Sequence, residues 1–382
     1  MILGIPKETL ENEKRVALVP EALSKIKGIE IHVEAGAGAA AGFTDEAYRA
    51  KGAVIVSDAK SLYEQADIML KVMPPEISES SRMKEDSVLI SFIYPHSHAE
   101  LLKSLASKKV TTFAMDLIPR TSRAQFMDAL SSQATIAGYK ATVLAIDSLP
   151  KIFPMLITAA GTISAARVFV IGAGVAGLQA IATAHRMGAS VEAYDLRPVV
   201  KEQIESLGAK FVSLPLETQD AQTAGGYAKA QSEEFYRKQQ EFLAKTAQNA
   251  DVVITTALVP GKRAPVLLSE DAVKGMKPSS VIVDLAAEQG GNCALTEPGK
   301  TVVKHGVTIH GLFNWSAMIP GQASLMYSRN ISAFLALMLK DGKINIDLKD
   351  DLLFGSLAVH NGEVLFPKKE VPIALAAGGK TA

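Results

Sequence analysis

The chain has 382 residues, 48% hydrophobic and 21% charged, the ordinary make-up of a globular protein of about two domains. Forty basic residues balance forty acidic ones, which removes any general attraction to nucleic acid or to an anionic membrane surface. A single cysteine, Cys293, excludes an internal disulfide and accords with a reducing compartment, and the opening MILGIPKETLENEKR lacks an apolar core of signal-peptide length.

The N-terminal third of the chain alternates the apolar runs ILGI, EIHVEA, AVIV, DIMLKV, SVLISFI and VTTFAM with helical segments such as PEALSKIKG and HAELLKSLASKK. That alternation predicts a parallel sheet covered by helices. GAGAAAG, from Gly36 to Gly42, follows one of these strands. It has one residue too many for a dinucleotide turn and only a short helix behind it, so it reads as a packed turn capped by Thr44 or Asp45.

After Asp116 the alternation stops, and PRTSRAQFMDALSSQATIAGYKATVLAIDSL reads as a polar loop running into a long helix. Arg120, Gln125, Asp128 and Ser131 are a cluster of donors and acceptors in that loop. An Arg–Asp pair can fix a loop, while an amide and a hydroxyl suit a carboxamide or a ribose. Ser122 with Gln125 three residues later also has the spacing of a capping box, so spacing leaves both readings open.

Residues 167–197, RVFVIGAGVAGLQAIATAHRMGASVEAYDLR, read as a strand, a glycine turn, an amphipathic helix, a second strand and an acidic residue at its end. Gly172 allows the tight turn, Gly174 lets backbone approach a pyrophosphate, and Gly177 lets helix and strand pack closely. Val175 and Ala176 open the helix whose N-terminus holds the phosphate charge. Asp195, about 20 residues past the glycines, has the position of a ribose-binding carboxylate. Its charge disfavours a 2′-phosphate, so NAD(H) is expected over NADP(H).

The motif region continues with its own series of apolar runs, KFVSL, DVVITT, SVIVDLA and VTIHGL. TQDAQTAGGYAKAQSEEFYRKQQ, residues 218–240, has little apolar periodicity, and Gly225-Gly226 ahead of Tyr227 read either as the hinge of a lid or as a plain surface loop. TTALVPGKRAP and DLAAEQGGNC each follow a strand, where the C-terminal ends of parallel strands line a ligand crevice. Asp284 also suits a strand-end cap. Near the C-terminus, LLFGSLAVHNGEVLF has two strand-like runs around Asn361-Gly362, the strongest short hairpin signal. The expected fold is α/β with two Rossmann-like doubly wound domains. Residues 1–137 form the first, completed by 320–382, and residues 138–319 form the second. Seven scattered histidines and one cysteine give no metal-ligand pairs, and no GxSxG elbow or GxxxxGK[ST] loop occurs.

PRTSRAQFMDALSSQATIAGYKA, TAGGYAK, TTALVPGKRAP and DLAAEQGGNC together resemble the NAD(H)-binding component of the proton-translocating nicotinamide nucleotide transhydrogenases, whose nearest relatives are alanine dehydrogenases. The resemblance implies direct hydride transfer between NAD(H) and NADP(H), the second nucleotide being held on a partner subunit. It also implies a separate membrane-spanning proton-channel subunit and a cytoplasmic location peripheral to the inner (plasma) membrane; a homodimer is expected only as the usual default of symmetric assembly. By the same resemblance Arg120, Gln125, Asp128 and Ser131 surround the nicotinamide, and the loop of Gly226 and Tyr227 closes over the nucleotide. Ala257, Leu258 and Val259 become wall residues, and Asp284, Glu288, Gly290, Gly291 and Asn292 shape the turn beside the cofactor. Arg197, two residues past Asp195, is placed over the adenine side or read as a solvated arginine, the commoner role of a basic residue there. Tyr139 matches a tyrosine near the nicotinamide loop, or is a buried aromatic with a bonded hydroxyl.

Arg15, Lys71 and His96 stand where alanine dehydrogenases have a carboxylate-binding arginine, a lysine and a histidine for acid–base chemistry. Transfer between two nicotinamides moves no proton, so structural or vestigial roles are expected for Arg15 and Lys71 and a loop position for His96. The alternatives are an alanine-type amino-acid dehydrogenase and an NAD(H)-binding module that catalyses nothing.

Overall fold

The six N-terminal apolar runs become strands: β1 (Ile2–Ile5), β2 (Glu30–Glu34), β3 (Val54–Val56), β4 (Ile68–Leu70), β5 (Val88–Ser91) and β6 (Thr111–Ala114). All pair in parallel, in the spatial order 3-2-1-4-5-6. This is the doubly wound order, with its switch point between β1 and β4. In this computed structural model the described residues are 1–214, 232–258, 261–340 and 342–367. The turn after β2 is a packed one. Gly36 and Gly42 take φ of +75° and +87°, Thr44 caps the next helix through the Ala47 N–H, and Asp45 accepts the Gly36 N–H at 2.9 Å.

Beyond a small hairpin of β7 (Leu156–Thr158) and β8 (Gly161–Ile163) lies a second sheet. It contains β9 (Arg167–Ile171), β10 (Ser190–Tyr194), β11 (Lys210–Phe211), β12 (Val252–Thr255), β13 (Val281–Asp284), β14 (Thr301–Lys304) and β15 (Val307–His310). Its order is β11-β10-β9-β12-β13-β15-β14, parallel except for the edge strand β14. Along β9, Val168 and Val170 join one apolar cluster while Phe169 and Ile171 join another. Both faces are therefore buried, which is why the strand reads as an unbroken apolar run.

The chain then returns to the first sheet. After a short β16 (Leu339–Lys340) and β17 (Lys343–Ile344), β18 (Leu357–His360) adds antiparallel to β6, and β19 (Glu363–Val364) pairs with β18. Asn361 and Gly362, with φ of +50° and +79°, make the two-residue turn. The α/β class, with two doubly wound domains and the first completed by the C-terminal segment, is the fold expected from sequence.

One compact unit comprises residues 1–129 with the segment from Ser324 onward, and the other Leu130–Ala323. These limits differ from 137 and 320 because they fall within helices. Ala141 and Ala145 of the helix Ala129–Ser148 belong to the core of the second unit. Ser324 and Ser328 of the helix Pro320–Met338 accept the backbone N–H groups of Val16 and Val19 in the first. Among the described residues, no helix is long and apolar enough to cross a membrane.

Candidate functional site

In the second unit, β9 runs into the helix Val175–Arg186 through the glycine turn. Gly172 has φ +99°, a conformation costly for any residue with a Cβ. A Cβ on Gly177 would lie 1.8 Å from the Gly172 carbonyl oxygen, so helix and turn pack at a distance only glycine permits. A Cβ on Gly174 would meet nothing within 4 Å. The three glycines thus split into one for turn geometry, one for packing and one beside open space. Gly174 provides no side-chain cap for the helix, so the first-turn N–H groups around Val175 and Ala176 have the character of an anion site.

Asp195 follows β10 with its carboxylate 7% exposed. It accepts the Ala173 N–H at 2.7 Å, so the acidic residue is tied directly to the glycine turn. It also accepts three bonds from Arg197, one from the backbone N–H and two from the guanidinium. This carboxylate holds the Arg197 guanidinium pKa above its ordinary value, outweighing burial. The guanidinium is directed to Asp195, a placement the motif spacing did not indicate.

The two later loops are held by one polar network. Thr256 donates its hydroxyl to the Gly172 carbonyl at 3.0 Å, bracing the turn from the end of β12. The Asn292 side chain accepts from Ala257 N–H and donates to the Ala257 and Pro265 carbonyls, at 3.0, 2.9 and 2.8 Å. Asn292 is fully buried, so it acts by positioning Ala257. Asp284, also fully buried, accepts from Thr255 Oγ1, Ala286 N, Asn292 N, Cys293 N and Thr296 Oγ1. It is the hub that shapes DLAAEQGGNC, while Gly290 and Gly291 take φ of +101° and +82°. Glu288 accepts the Asn314 N–H at 2.6 Å, and Leu258 is 38% exposed. Gly226, Tyr227 and Val259 lie outside the described residues.

In the loop after β6, residues Ser122–Met127 form a 3-10 helix whose N-cap, Thr121, makes no side-chain cap bond. The capping-box alternative for Ser122 and Gln125 does not form. Ala124 and Met127 are buried, leaving Arg120, Gln125 and Phe126 exposed, the last at 79%. Asn330 donates to the Phe126 carbonyl at 2.9 Å, and the Arg123 guanidinium binds the carboxylates of Asp350 and Asp351. The returning C-terminal segment therefore pins this loop. Asp128 ends the 3-10 segment, and Ser131 lies in the first turn of the helix that follows. On that helix Tyr139 is 45% exposed, so it is not a core aromatic.

The remaining three candidates belong to the first unit. Arg15, 3% exposed, forks onto Glu13 through Nε and Nη2 at 2.9 and 2.6 Å. Lys71, 1% exposed, binds Glu79 at 3.0 Å and lies 3.5 Å from Glu8. Burial opposes the ammonium charge, yet Glu8 and Glu79 hold the Lys71 pKa above its ordinary value, while burial pushes the Glu8 carboxyl up. His96 is an exposed loop residue meeting the Phe366 ring edge-on.

Sequence reading did not single out Thr256, Arg123, Asn330 or Gly138. Three act through long-range contacts that no local pattern encodes. Gly138, within the helix Ala129–Ser148, is the fourth, and a Cβ there would lie 2.1 Å from the Ala176 carbonyl. Its only local signal was a glycine inside a helical run.

Doubly wound sheets, a glycine turn opening an uncapped helix, and an acidic residue bonded back to that turn define a dinucleotide-binding α/β protein. The sequence matches the family models "Alanine dehydrogenase/PNT, N-terminal domain" over residues 4–137 and "Alanine dehydrogenase/PNT, C-terminal domain" over residues 141–367. It is 46% identical to an NAD(P) transhydrogenase subunit alpha chain of Rhodospirillum rubrum, covering 96% of this chain and 98% of that one. Against NAD(P) transhydrogenase subunit alpha of Cereibacter sphaeroides it is also 46% identical, covering all of this chain and 74% of that protein. The alanine dehydrogenase of Bacillus subtilis is 30% identical over 96% of this chain and 93% of its own. The solved transhydrogenase of Sinorhizobium meliloti superposes with a TM-score of 0.84 at 40% identity, covering 96% of this chain and 99% of that one. The chain belongs to the alanine dehydrogenase/PNT family and, within it, to the NAD(P) transhydrogenase alpha subunits.

Proposed function

We propose that this chain is the NAD(H)-binding component of a transhydrogenase, exchanging hydride between its own nucleotide and NADP(H) carried by a partner subunit. The observation that carries the reading is the Gly172–Gly177 turn with Asp195 bonded back to it. The residues fit the nucleotide: open space at Gly174 and uncapped N–H groups suit a pyrophosphate, and the Asp195 carboxylate suits a ribose diol. The bound nicotinamide supplies the redox chemistry. This chain's residues position it. Thr256 and Gly177 fix the turn, Asp284 and Asn292 hold the Ala257–Leu258 wall, and Arg120, Gln125, Asp128 and Ser131 orient the reacting ring. Orientation is the principal contribution when no proton moves.

The buried pairing of Arg15 with Glu13 and of Lys71 with Glu79 supports structural roles for both cations and weighs against an amino-acid dehydrogenase. Exposed Gln125 and Phe126 on a pinned loop are consistent with a face that meets the NADP(H)-bearing subunit. The β7–β8 hairpin region, with Met155 and Ile157 59% and 78% exposed, supports a homodimer. The complex then reaches the inner membrane and its proton channel through partner chains.

The test is an assay of hydride exchange between NADH and an NADP+ analogue, with the purified chain alone and after addition of the NADP(H)-binding and membrane subunits. Exchange only in the reconstituted mixture is expected. Oxidation of L-alanine by the chain alone would establish the amino-acid dehydrogenase instead.

A further inference from the structure

Asp195 presents a carboxylate whose acceptor capacity is already taken. One oxygen accepts Arg197 N–H and Arg197 Nε, both at 2.9 Å, and the other accepts Ala173 N–H at 2.7 Å and Arg197 Nη2 at 2.8 Å. An ionised carboxylate offers about four lone-pair sites, so all four are filled. The bonds fall into two kinds. Those from the Ala173 and Arg197 backbones come from the turn and strand end themselves and set the carboxylate's orientation. Those from Nε and Nη2 come from one guanidinium fork on a rotatable stem. A ribose offers two adjacent hydroxyls, the same number of donors that the fork supplies.

We infer that the Arg197 guanidinium stands in the place of the adenosine ribose diol and must leave Asp195 for nucleotide to bind. This rests on the reading of Asp195 as the ribose site and assigns Arg197 as its competitor. Two consequences follow from the geometry. Breaking a bidentate, largely buried ion pair opposes binding, so Arg197 weakens nucleotide affinity and favours release in each turnover. The displaced cation also stays tethered two residues from Asp195, where it offsets carboxylate repulsion of a 2′-phosphate. Arg197 thereby narrows the preference for NADH over NADPH.

The test is a titration of NADH, NADPH and 5′-AMP against the full-length chain and its Arg197→Ala, Arg197→Lys, Asp195→Asn and doubly substituted variants, each checked by thermal melting. Arg197→Ala should tighten NADH and 5′-AMP about threefold to tenfold, less than 1.4 kcal/mol, and widen the NADH-over-NADPH ratio. Arg197→Lys keeps the charge without the fork and should tighten binding less. In the Asp195→Asn background, removing Arg197 should change NADH affinity less than about twofold, the non-additivity that marks a direct pair. Weakened NADH and 5′-AMP binding on loss of Arg197, equal in both backgrounds, would overturn the inference and return the guanidinium to the adenine. If Asp195→Asn altered neither NADH nor NADPH affinity, the ribose site itself would fall, and the competitor with it.

Discussion

Replacing Lys71 with methionine separates the rival functions, because the two readings predict opposite losses. The Nζ lies 3.0 Å from Glu79 and 3.5 Å from Glu8, all three side chains are buried, and methionine fills a similar volume without charge. Removing one partner of a buried ionic group costs about 3–5 kcal/mol, since it leaves an uncompensated charge. Here the carboxylates keep other donors: Glu8 accepts the Val72 N–H at 2.6 Å, and Glu79 accepts Tyr63 OH and Glu76 N–H, both at 2.7 Å. The lower end, about 3 kcal/mol, is therefore expected, which for a unit of this size is a melting shift of roughly 6–12 °C. Glu8 already has its pKa raised by burial, partly offset by Lys71, and losing that cation raises it further. A carboxyl with a raised folded pKa favours the folded state below that pKa and loses the advantage as pH rises through it. The deficit of the variant should accordingly be largest at neutral pH and shrink towards pH 5. Well below its melting temperature, the variant should retain hydride exchange within about twofold. Unchanged melting with abolished activity would refute the structural assignment of Lys71 and place it in the reaction.

Arg120→Ala and Gln125→Asn should reduce hydride exchange sharply while leaving the melting curve intact, because mispositioning by about an ångström can cost roughly a hundredfold in rate. NADH affinity from titration should move far less; an equal loss of affinity would assign these residues to ground-state binding instead. Gly138→Ala inserts a methyl 2.1 Å from the Ala176 carbonyl, forcing apart two helices at the phosphate end of the nucleotide site. Such overpacking costs about 1–3 kcal/mol. Both a lower melting temperature and weaker NADH binding are expected, and unchanged NADH affinity would show that the displaced helix does not hold the phosphates.

What could be read from one dimension was what depends on short-range pattern. Both series of apolar runs, the glycine turn of Gly172, Gly174 and Gly177, and the Asn361-Gly362 hairpin are set by strand periodicity and by backbone conformations only certain residues adopt. The acidic end of β10 was legible for the same reason, as spacing along one βαβ unit places it beside the turn. Tertiary structure decided the rest. Lys71 and Arg15 have residue types compatible with catalysis, and only the folding of Glu79, Glu8 and Glu13 around them in the core shows their charges committed to neighbours. Asn330 and Asp350 come from a segment some 200 residues later than the loop they pin. Arg197 chose Asp195 over open solvent because a bidentate fork onto a buried carboxylate outweighs hydration of the free guanidinium, a balance set by burial that sequence spacing does not contain.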